Sequence, residues 1–328
     1  MVQGVGDGEK LLFLDLPPMH WDETQLLYHA MGRLGIEALA LTGTIEPYVC
    51  VGFSQGVPVE IDRDWCRAND IGVFRREIGG GTVFIDRDQL LIQLVLRRDR
   101  PDVPAGQANF FQRFLGPLVE CYRALGIDAG FHPVNDLLVG GRKISGTGGG
   151  EIGDCNVLAT NILLDFNSGR MAGALRCPSE QFRKAVLEGI RENLTTVRRE
   201  LGSAPPVPKL KRLLREGYEA LLGPLEPSGL PYQVEAEMER IRAELFHRRW
   251  MSDTGARKKW REVKLREGSY VAQFPSERGD VLVEVRDGKV ASAAPVGGPP
   301  DGRDLGALKG MEYDGEQILN RISRMATC

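Results

Sequence analysis

The sequence predicts an α+β fold: interspersed strands and helices over roughly the first two-thirds of the chain, then a smaller α+β module. Three observations carry this. Residues 90–96 form an almost unbroken apolar run, the pattern of a strand covered on both faces. Segments with helical apolar spacing stand on either side of it, at 21–35 and 107–125. Beyond a proline cluster at 205–208 the pattern changes to helices followed by short alternating strands. At 328 residues, 42% hydrophobic and 27% charged, the chain is long for one domain and ordinary for a globular protein.

In order, residues 1–9 are Gly-rich and polar and are expected to be disordered. Residues 11–16 are an apolar strand stopped by Pro17-Pro18, and 21–35 place Leu26, Ala30, Met31 and Leu34 on one helical face. Strands are expected at 38–42 and 48–53, a short helix at 62–69 with Trp65 and Cys66 inward, and strands at 73–76, 82–85 and 90–96. One long helix is expected over 107–125. Gly140-Gly141, between 137–139 and 143–145, signals a hairpin, and 156–166 is again β-rich. Helices follow at 178–189 and 194–201. Pro205-Pro206-Val207-Pro208 reads as a linker, with helices beyond it at 209–222 and 234–249. Strands at 259–265, 270–274, 281–286 and 289–294 follow, the last two joined by a tight hairpin at Asp287-Gly288, and a helix closes the chain at 315–325. The expected division is a main domain at 1–204, a helical connector at 205–258 and a small accessory domain at 259–328.

A net charge of −3 offers no global basic field for nucleic acid. Cys50, Cys66, Cys121, Cys155, Cys177 and Cys328 are scattered, without a CxxC pair, and read as reduced thiols. His20, His29, His132 and His247 lack metal-ligand spacing. No basic segment leads into an apolar stretch at the N-terminus, and nothing approaches a membrane-spanning length. A cytoplasmic monomer without nucleic-acid or membrane partners is expected.

Two motifs carry chemistry. Arg75-Arg76-Glu77-Ile78-Gly79-Gly80-Gly81-Thr82-Val83-Phe84 sets two guanidiniums beside three glycines. Exposed N–H groups of such a loop make an anion nest, and the arginines add charge-assisted donors. Alone it reads more often as a turn with solvated charges. The second motif, Asn135-Asp136-Leu137-Leu138-Val139-Gly140-Gly141-Arg142-Lys143-Ile144-Ser145-Gly146-Thr147, puts a lysine on a strand after a glycine turn. Its ammonium suits a phosphate or an activated carboxylate. Ser145 and Thr147 alternate onto one face, where both hydroxyls would line the same ligand.

The pair, in this order, resembles the signature motifs of the lipoate–protein ligases. Val51-Gly52-Phe53-Ser54-Gln55 resembles that family's earlier Gly-x-x-Gln stretch. Arg191-Glu192-Asn193-Leu194-Thr195-Thr196-Val197 resembles the segment closing its catalytic domain. Residues 281–294 and 305–314 resemble its accessory domain, which the superfamily's octanoyltransferases generally lack. The resemblance implies mixed sheets flanked by helices, in the manner of the biotin/lipoate ligases.

It also implies a two-step ATP-dependent reaction. Lipoate is activated to lipoyl-AMP with release of pyrophosphate, and a lysine of a lipoyl-carrier domain then takes the acyl group. By the same resemblance Lys143 bridges carboxylate and α-phosphate, and Asp136 either holds Mg²⁺ or orients Lys143. Arg75, Arg76, Gly79, Gly80 and Gly81 receive the anions. Thr82, Val83, Asn135, Ser145, Gly146, Thr147 and Gln55 complete the site, and apolar strands around Val83 and Leu94 line a tunnel for the acyl chain. The accessory domain swings over the site between half-reactions.

The chain departs from the family's pattern in three places. Ile78 stands where a serine is common, and Thr147-Gly148-Gly149-Gly150 replaces Ser-Ala-Gln. No histidine opens the following strand. The first departure points to an altered pocket, the second to a mobile loop. Two rivals stay open: a cysteine-dependent octanoyl- or lipoyltransferase, with Cys155 and Cys177 as the candidate thiols, and a non-catalytic lipoyl-binding protein.

Overall fold

The structure, a computed structural model, describes residues 11–253, 255, 258–298 and 302–326; the stretch 1–9 expected to be disordered, and Cys328, lie outside them. The chain runs through β1 (Leu12–Asp15), α1 (Glu23–Leu34), β2 (Ala38–Thr42), β3 (Tyr48–Val51), α2 (Val57–Glu60), α3 (Arg63–Ala68), β4 (Gly72–Arg75), β5 (Val83–Ile85) and β6 (Gln89–Arg97). Next come α4 (Gln107–Phe114), α5 (Gly116–Ala124), β7 (Gly130–His132), β8 (Asp136–Val139), β9 (Arg142–Ser145), β10 (Thr147–Ile152), β11 (Cys155–Leu163), α6 (Ser168–Ala174), α7 (Glu180–Asn193) and α8 (Val197–Leu201). The rest is α9 (Val207–Leu222), β12 (Glu226–Ser228), α10 (Tyr232–Leu245), α11 (Arg248–Ser252), β13 (Arg261–Arg266), β14 (Ser269–Phe274), β15 (Val281–Arg286), β16 (Lys289–Pro295) and α12 (Gly315–Ala326).

A six-stranded mixed sheet, ordered β10-β11-β6-β2-β1-β12, forms the backbone of the larger part. β6 lies between β2 and β11 and is antiparallel to both. It is covered on both faces, which explains its apolar run. Leu90, Ile92, Leu94 and Leu96 pack with Phe110, Phe114, Leu118 and Tyr122 of α4 and α5 and with Leu214 of α9. Leu91 and Val95 face the opposite way, toward Leu26, Leu27 and Met31 of α1 and Ile241 of α10. Two three-stranded sheets, β4-β3-β5 and β7-β8-β9, carry the glycine loop and the lysine hairpin.

Four expectations change. The single helix over 107–125 divides at Leu115, and Pro117 falls in the first turn of α5, where its missing N–H costs nothing. The prolines at 205–208 start a helix: Pro206 is the N-cap of α9 and Pro208 lies in its first turn. The stretch expected as a connector adds β12 to the main sheet beside β1. Gly148–Gly150, expected to be mobile, is strand β10, paired along its length with β11.

The C-terminal module is an antiparallel meander, β13-β14-β15-β16, with Ile318 and Ile322 of α12 in its core. Asp287 and Gly288 join β15 to β16 at left-handed φ values of 49° and 78°. Such a turn matches strand twist, so the Asp-Gly signal was sufficient locally. The module leans on α7, where Gly189 leaves room for Leu265 of β13.

Candidate active site

The site forms where the glycine loop meets the lysine hairpin. Gly140 and Gly141, at φ 53° and 79°, turn β8 into β9 and bring Asp136 beside Lys143. The Lys143 ammonium lies 2.6 Å from Asp136 Oδ1. Asp136 is 2% exposed, and its other oxygen accepts the Glu267 N–H at 2.9 Å. Burial pushes the carboxyl upward, but the Lys143 charge and hydrogen bond, with the Glu267 amide, hold it below the usual carboxylate value. Asp136 is therefore an anion that fixes the Lys143 ammonium in place. The strand behind is held by the end of α7, where Thr195 N–H donates to the Lys143 carbonyl at 2.9 Å.

A cavity of about 400 Å³ lies before this pair, within the range of small-molecule sites. Gln55, Gly80, Gly81, Thr82, Val83, Asn135, Asp136, Lys143, Gly146 and Thr147 line it, so most of the sequence-derived set converges. Gln55 Oε1 accepts from Thr82 Oγ and the Gly52 N–H, tying the Gly-x-x-Gln stretch to the loop. Asn135 Nδ2 donates to the Thr147 carbonyl at 2.9 Å. A second, narrow pocket of about 60 Å³ shares Val83, Gly146, Thr147 and Asn161 with the cavity, and is otherwise lined by groups including Leu91, Gln93, Ala159, Cys50 and Tyr28.

The arginines do not face the cavity. Arg76 donates through Nε and Nη2 to the Gly79 carbonyl, through Nη2 to that of Gly81 and through Nη1 to that of Cys50. Arg75 reaches the carbonyls of Phe53 and Trp250 and the Asp253 carboxylate, with its guanidinium 4.2 Å over the Trp250 ring. Both are buried, and a buried guanidinium must find acceptors; a loop without side chains presents its carbonyls. They brace the nest from behind, and only Arg76 borders the narrow pocket. Gly79 also turns inward, its N–H donating to the Gly149 carbonyl at 3.0 Å.

Three further expectations are corrected. Ser145 is fully buried, and its hydroxyl pairs with Thr160 Oγ and the Asn161 carbonyl, so only Thr147 of the alternating pair reaches the cavity. Leu94 packs on the far side of the sheet, while its neighbours Leu91 and Gln93 border the narrow pocket; a shift of one residue along a strand changes the face. Ile78 is buried in the core against Gly150, so it alters packing rather than the cavity lining. The second glycine run exists because the first crosses it: a Cβ at Gly148 would lie 2.9 Å from the Gly79 carbonyl, and one at Gly149 would lie 2.6 Å from the Phe111 ring.

The motifs missed several lining groups. Asn161 stands on the strand that lacks the expected histidine; it accepts the Gly146 N–H at 2.7 Å and donates to Gln89 at 2.7 Å. Gln93 interrupts the apolar run at 90–96, a signal that was available. Glu262, Lys264, Arg266 and Tyr270 arrive from the accessory module more than a hundred residues away, and nothing local announces them.

Both oxygens of Asp136 are engaged, one by the Lys143 ammonium, whose charge repels a second cation beside it, and no cluster of three His, Cys, Asp or Glu residues occurs among the described residues. The site therefore does not fit a resident Mg²⁺ held by Asp136. Cys50, Cys66, Cys121 and Cys155 are buried, and burial pushes their thiols up, to about 11 for Cys155. No cysteine among the described residues lines the cavity that holds Lys143. No helix among them is long and apolar enough to cross a membrane.

The lipoyl protein ligase A/B catalytic domain matches residues 17–219, more than half of the chain. The chain belongs to this family. It is 24% identical over 288 residues to lipoate–protein ligase 1 of Staphylococcus aureus, covering 84% of this chain and 82% of the relative. It is also 24% identical over 253 residues to the octanoyltransferase LipM of Halalkalibacterium halodurans, covering 70% and 91%. Among solved structures it resembles the bipartite lipoate protein ligase of Thermoplasma acidophilum, described with its E2 lipoyl domain (TM-score 0.66, 21% identity, 76% of this chain and 98% of that one). It also resembles a lipoate–protein ligase A bound with ATP (TM-score 0.58, 20% identity, 71% and 93%). These likenesses show the fold, and the mixed sheets with flanking helices are those expected. The family holds both ligases and octanoyltransferases, so membership leaves the choice of acyl donor to the site.

Proposed function

We propose that this family member is an ATP-dependent lipoate–protein ligase that forms lipoyl-AMP and passes the acyl group to the lysine of a lipoyl-carrier domain. One observation carries the reading: an ammonium held by a buried carboxylate stands in the wall of a nucleotide-sized cavity that adjoins a narrow pocket. The acyl chain occupies the narrow pocket, with its carboxylate beside Lys143. The nucleotide occupies the larger space along Gly80, Gly81 and Thr82. Lys143 offsets the charge as the carboxylate oxygen bonds to the α-phosphate and pyrophosphate departs. Mg²⁺ enters with the triphosphate rather than through Asp136.

The accessory module suits the same chemistry. Lys264 and Arg266 lie in the cavity wall but are engaged with Glu267 and Asp287, and the Glu267 amide closes on Asp136. Polyphosphate would draw these cations away, so nucleotide binding and movement of β13 are linked. A reactive anhydride formed beneath this cover is shielded from water.

Against a cysteine-dependent transferase stands the position of the thiols. Cys50 borders the narrow pocket but is 1% exposed, and burial raises its thiol although Arg76 opposes this. A thiolate nucleophile requires the reverse. The test is ATP–pyrophosphate exchange dependent on lipoate, with transfer to carrier domains read by mass. Exchange that survives serine replacement of Cys50, Cys155 and Cys177 supports the reading. Acyl transfer without exchange, abolished by one of those replacements, refutes it.

A further inference from the structure

The chain enters the accessory module across the Gly-x-x-Gln stretch, and Arg75 holds it there. Arg75 is 3% exposed and borders neither the cavity nor the narrow pocket. Its Nη1 donates to the Trp250 carbonyl at 3.1 Å and to Asp253 Oδ2 at 2.9 Å, and its Nη2 donates to the Phe53 carbonyl at 2.7 Å. The Trp250 ring lies 4.2 Å from the guanidinium, and Trp250 Nε1 donates in return to the Arg75 carbonyl at 2.9 Å. Asp253 Oδ1 accepts the Gly255 N–H at 2.9 Å. Gly255, at φ 62°, bridges to Gln55, and a Cβ there would lie 2.6 Å from the Ser54 carbonyl oxygen. Arg261 then opens β13 with a 2.9 Å ion pair to Glu60. The module therefore has a root and a cavity end. At the cavity end the Glu267 N–H closes on Asp136, and Lys264 and Arg266 line the wall. An anion in the cavity meets these groups, whereas Arg75, Trp250, Asp253 and Gly255 line neither space.

Resting on the adenylating reading above, we propose that Arg75 is a positioning residue for the accessory module. It fixes the root of the module on the Gly-x-x-Gln stretch, so that β13 closes over the cavity, and it does not receive the anion. The contacts are those of a guanidinium in particular: a planar fork that donates to separate acceptors while its face stacks on an indole. An ammonium cannot reproduce that set, although it would keep an attraction for phosphate. The two roles are thereby separable by a single charge-conserving change. A module loosened at its root leaves the cavity uncovered for more of the time, and an acyl-adenylate formed there then meets water.

The test uses the full chain and three variants, Arg75→Lys, Trp250→Phe and Asp253→Ala. Hydrogen exchange of the Glu267 amide, read by residue-resolved mass spectrometry without ligand, reports how firmly the cavity end is seated. It should quicken about tenfold in the variants, while the amides paired between β14 and β15 keep their protection. In lipoate-dependent ATP–pyrophosphate exchange the KM for ATP should stay within about twofold of wild type, because no anion contact is lost. AMP release from lipoate and ATP without a carrier domain should rise about fivefold, as uncovered adenylate hydrolyses. Unchanged Glu267 exchange in every variant overturns the proposal. So does a tenfold or larger rise in the KM for ATP confined to Arg75→Lys, which would make that residue an anion ligand. In an exchange-competent enzyme, AMP release no faster than wild type overturns it as well. A wild type with no ATP–pyrophosphate exchange refutes ATP dependence, and the Glu267 amide then decides this inference alone. If Arg75→Lys does not fold, Asp253→Ala decides, since that side chain is half exposed.

Discussion

Replacing Asp136 by asparagine tests the central electrostatic feature of the site. The amide retains an oxygen for the Glu267 N–H but removes the charge that faces Lys143 at 2.6 Å. At that separation, with an effective dielectric near 20, the Coulomb attraction is about 6 kcal/mol, and desolvation of the buried carboxylate cancels much of it. Lys143, a fifth exposed, regains water once the pair is broken. A net loss of about 2 kcal/mol follows, or about 4–8 °C in Tm for a domain of this size. The pH dependence gives a sharper criterion. The native carboxyl lies below its ordinary value, so its stabilisation is present above the unfolded value near 4 and is lost as pH falls through the native one. The Tm gap between wild type and Asp136→Asn should hold from pH 7 to about 5 and narrow progressively as pH falls below about 4. Calorimetric melts across that range measure it. A gap independent of pH, or a variant as stable as the wild type at pH 7, refutes the reasoning.

Lys143→Ala should lower lipoate-dependent exchange on the order of 100-fold or more, and adding Asp136→Asn should restore part of the lost Tm without restoring exchange; normal exchange in the single variant removes Lys143 from the chemistry. Gly149→Ala places a Cβ 2.6 Å from the Phe111 ring and 2.7 Å from the Val157 carbonyl, and should cost about 1–3 kcal/mol in urea unfolding, whereas Gly81→Ala, with open space at its Cβ, should be near neutral. His29 is fully buried, and burial pushes its imidazole down to about 3; it accepts the Glu77 N–H at 3.1 Å. Because the unfolded chain takes up that proton first, the native state should lose stability as pH falls from about 6.5 toward 3, and His29→Gln, which keeps an acceptor, should flatten the slope. An unchanged slope in that variant counts against the assignment.

How far the chain could be read varied with the range of the interaction concerned. The Asp287-Gly288 hairpin, the Gly140-Gly141 turn and the doubly covered strand at 89–97 were legible, because turn dihedrals and face alternation depend on neighbours a few residues away. The meeting of Gln55, the glycine loop and Lys143 was expected too, through the resemblance of four short motifs, in order, to those of a known family. The break at Leu115, just before Pro117, and the helix start at Pro206 were misread because proline stops one helix and starts the next by the same lack of an N–H.

The partners of the charges lay beyond that reach. By the resemblance, Arg75 and Arg76 face a bound anion. In the folded protein Arg76 turns back onto its own loop's carbonyls, and Arg75 onto Trp250 of α11. Gly148–Gly150 reads as a mobile loop until the glycine loop is laid across it. Asp136 becomes a strong anion only where Lys143 and the Glu267 amide of a distant module converge on it. Local sequence carries dihedral preference and periodicity. Burial imposes a further demand, that every enclosed polar group find a partner, and only the packed chain specifies which distant residue supplies it.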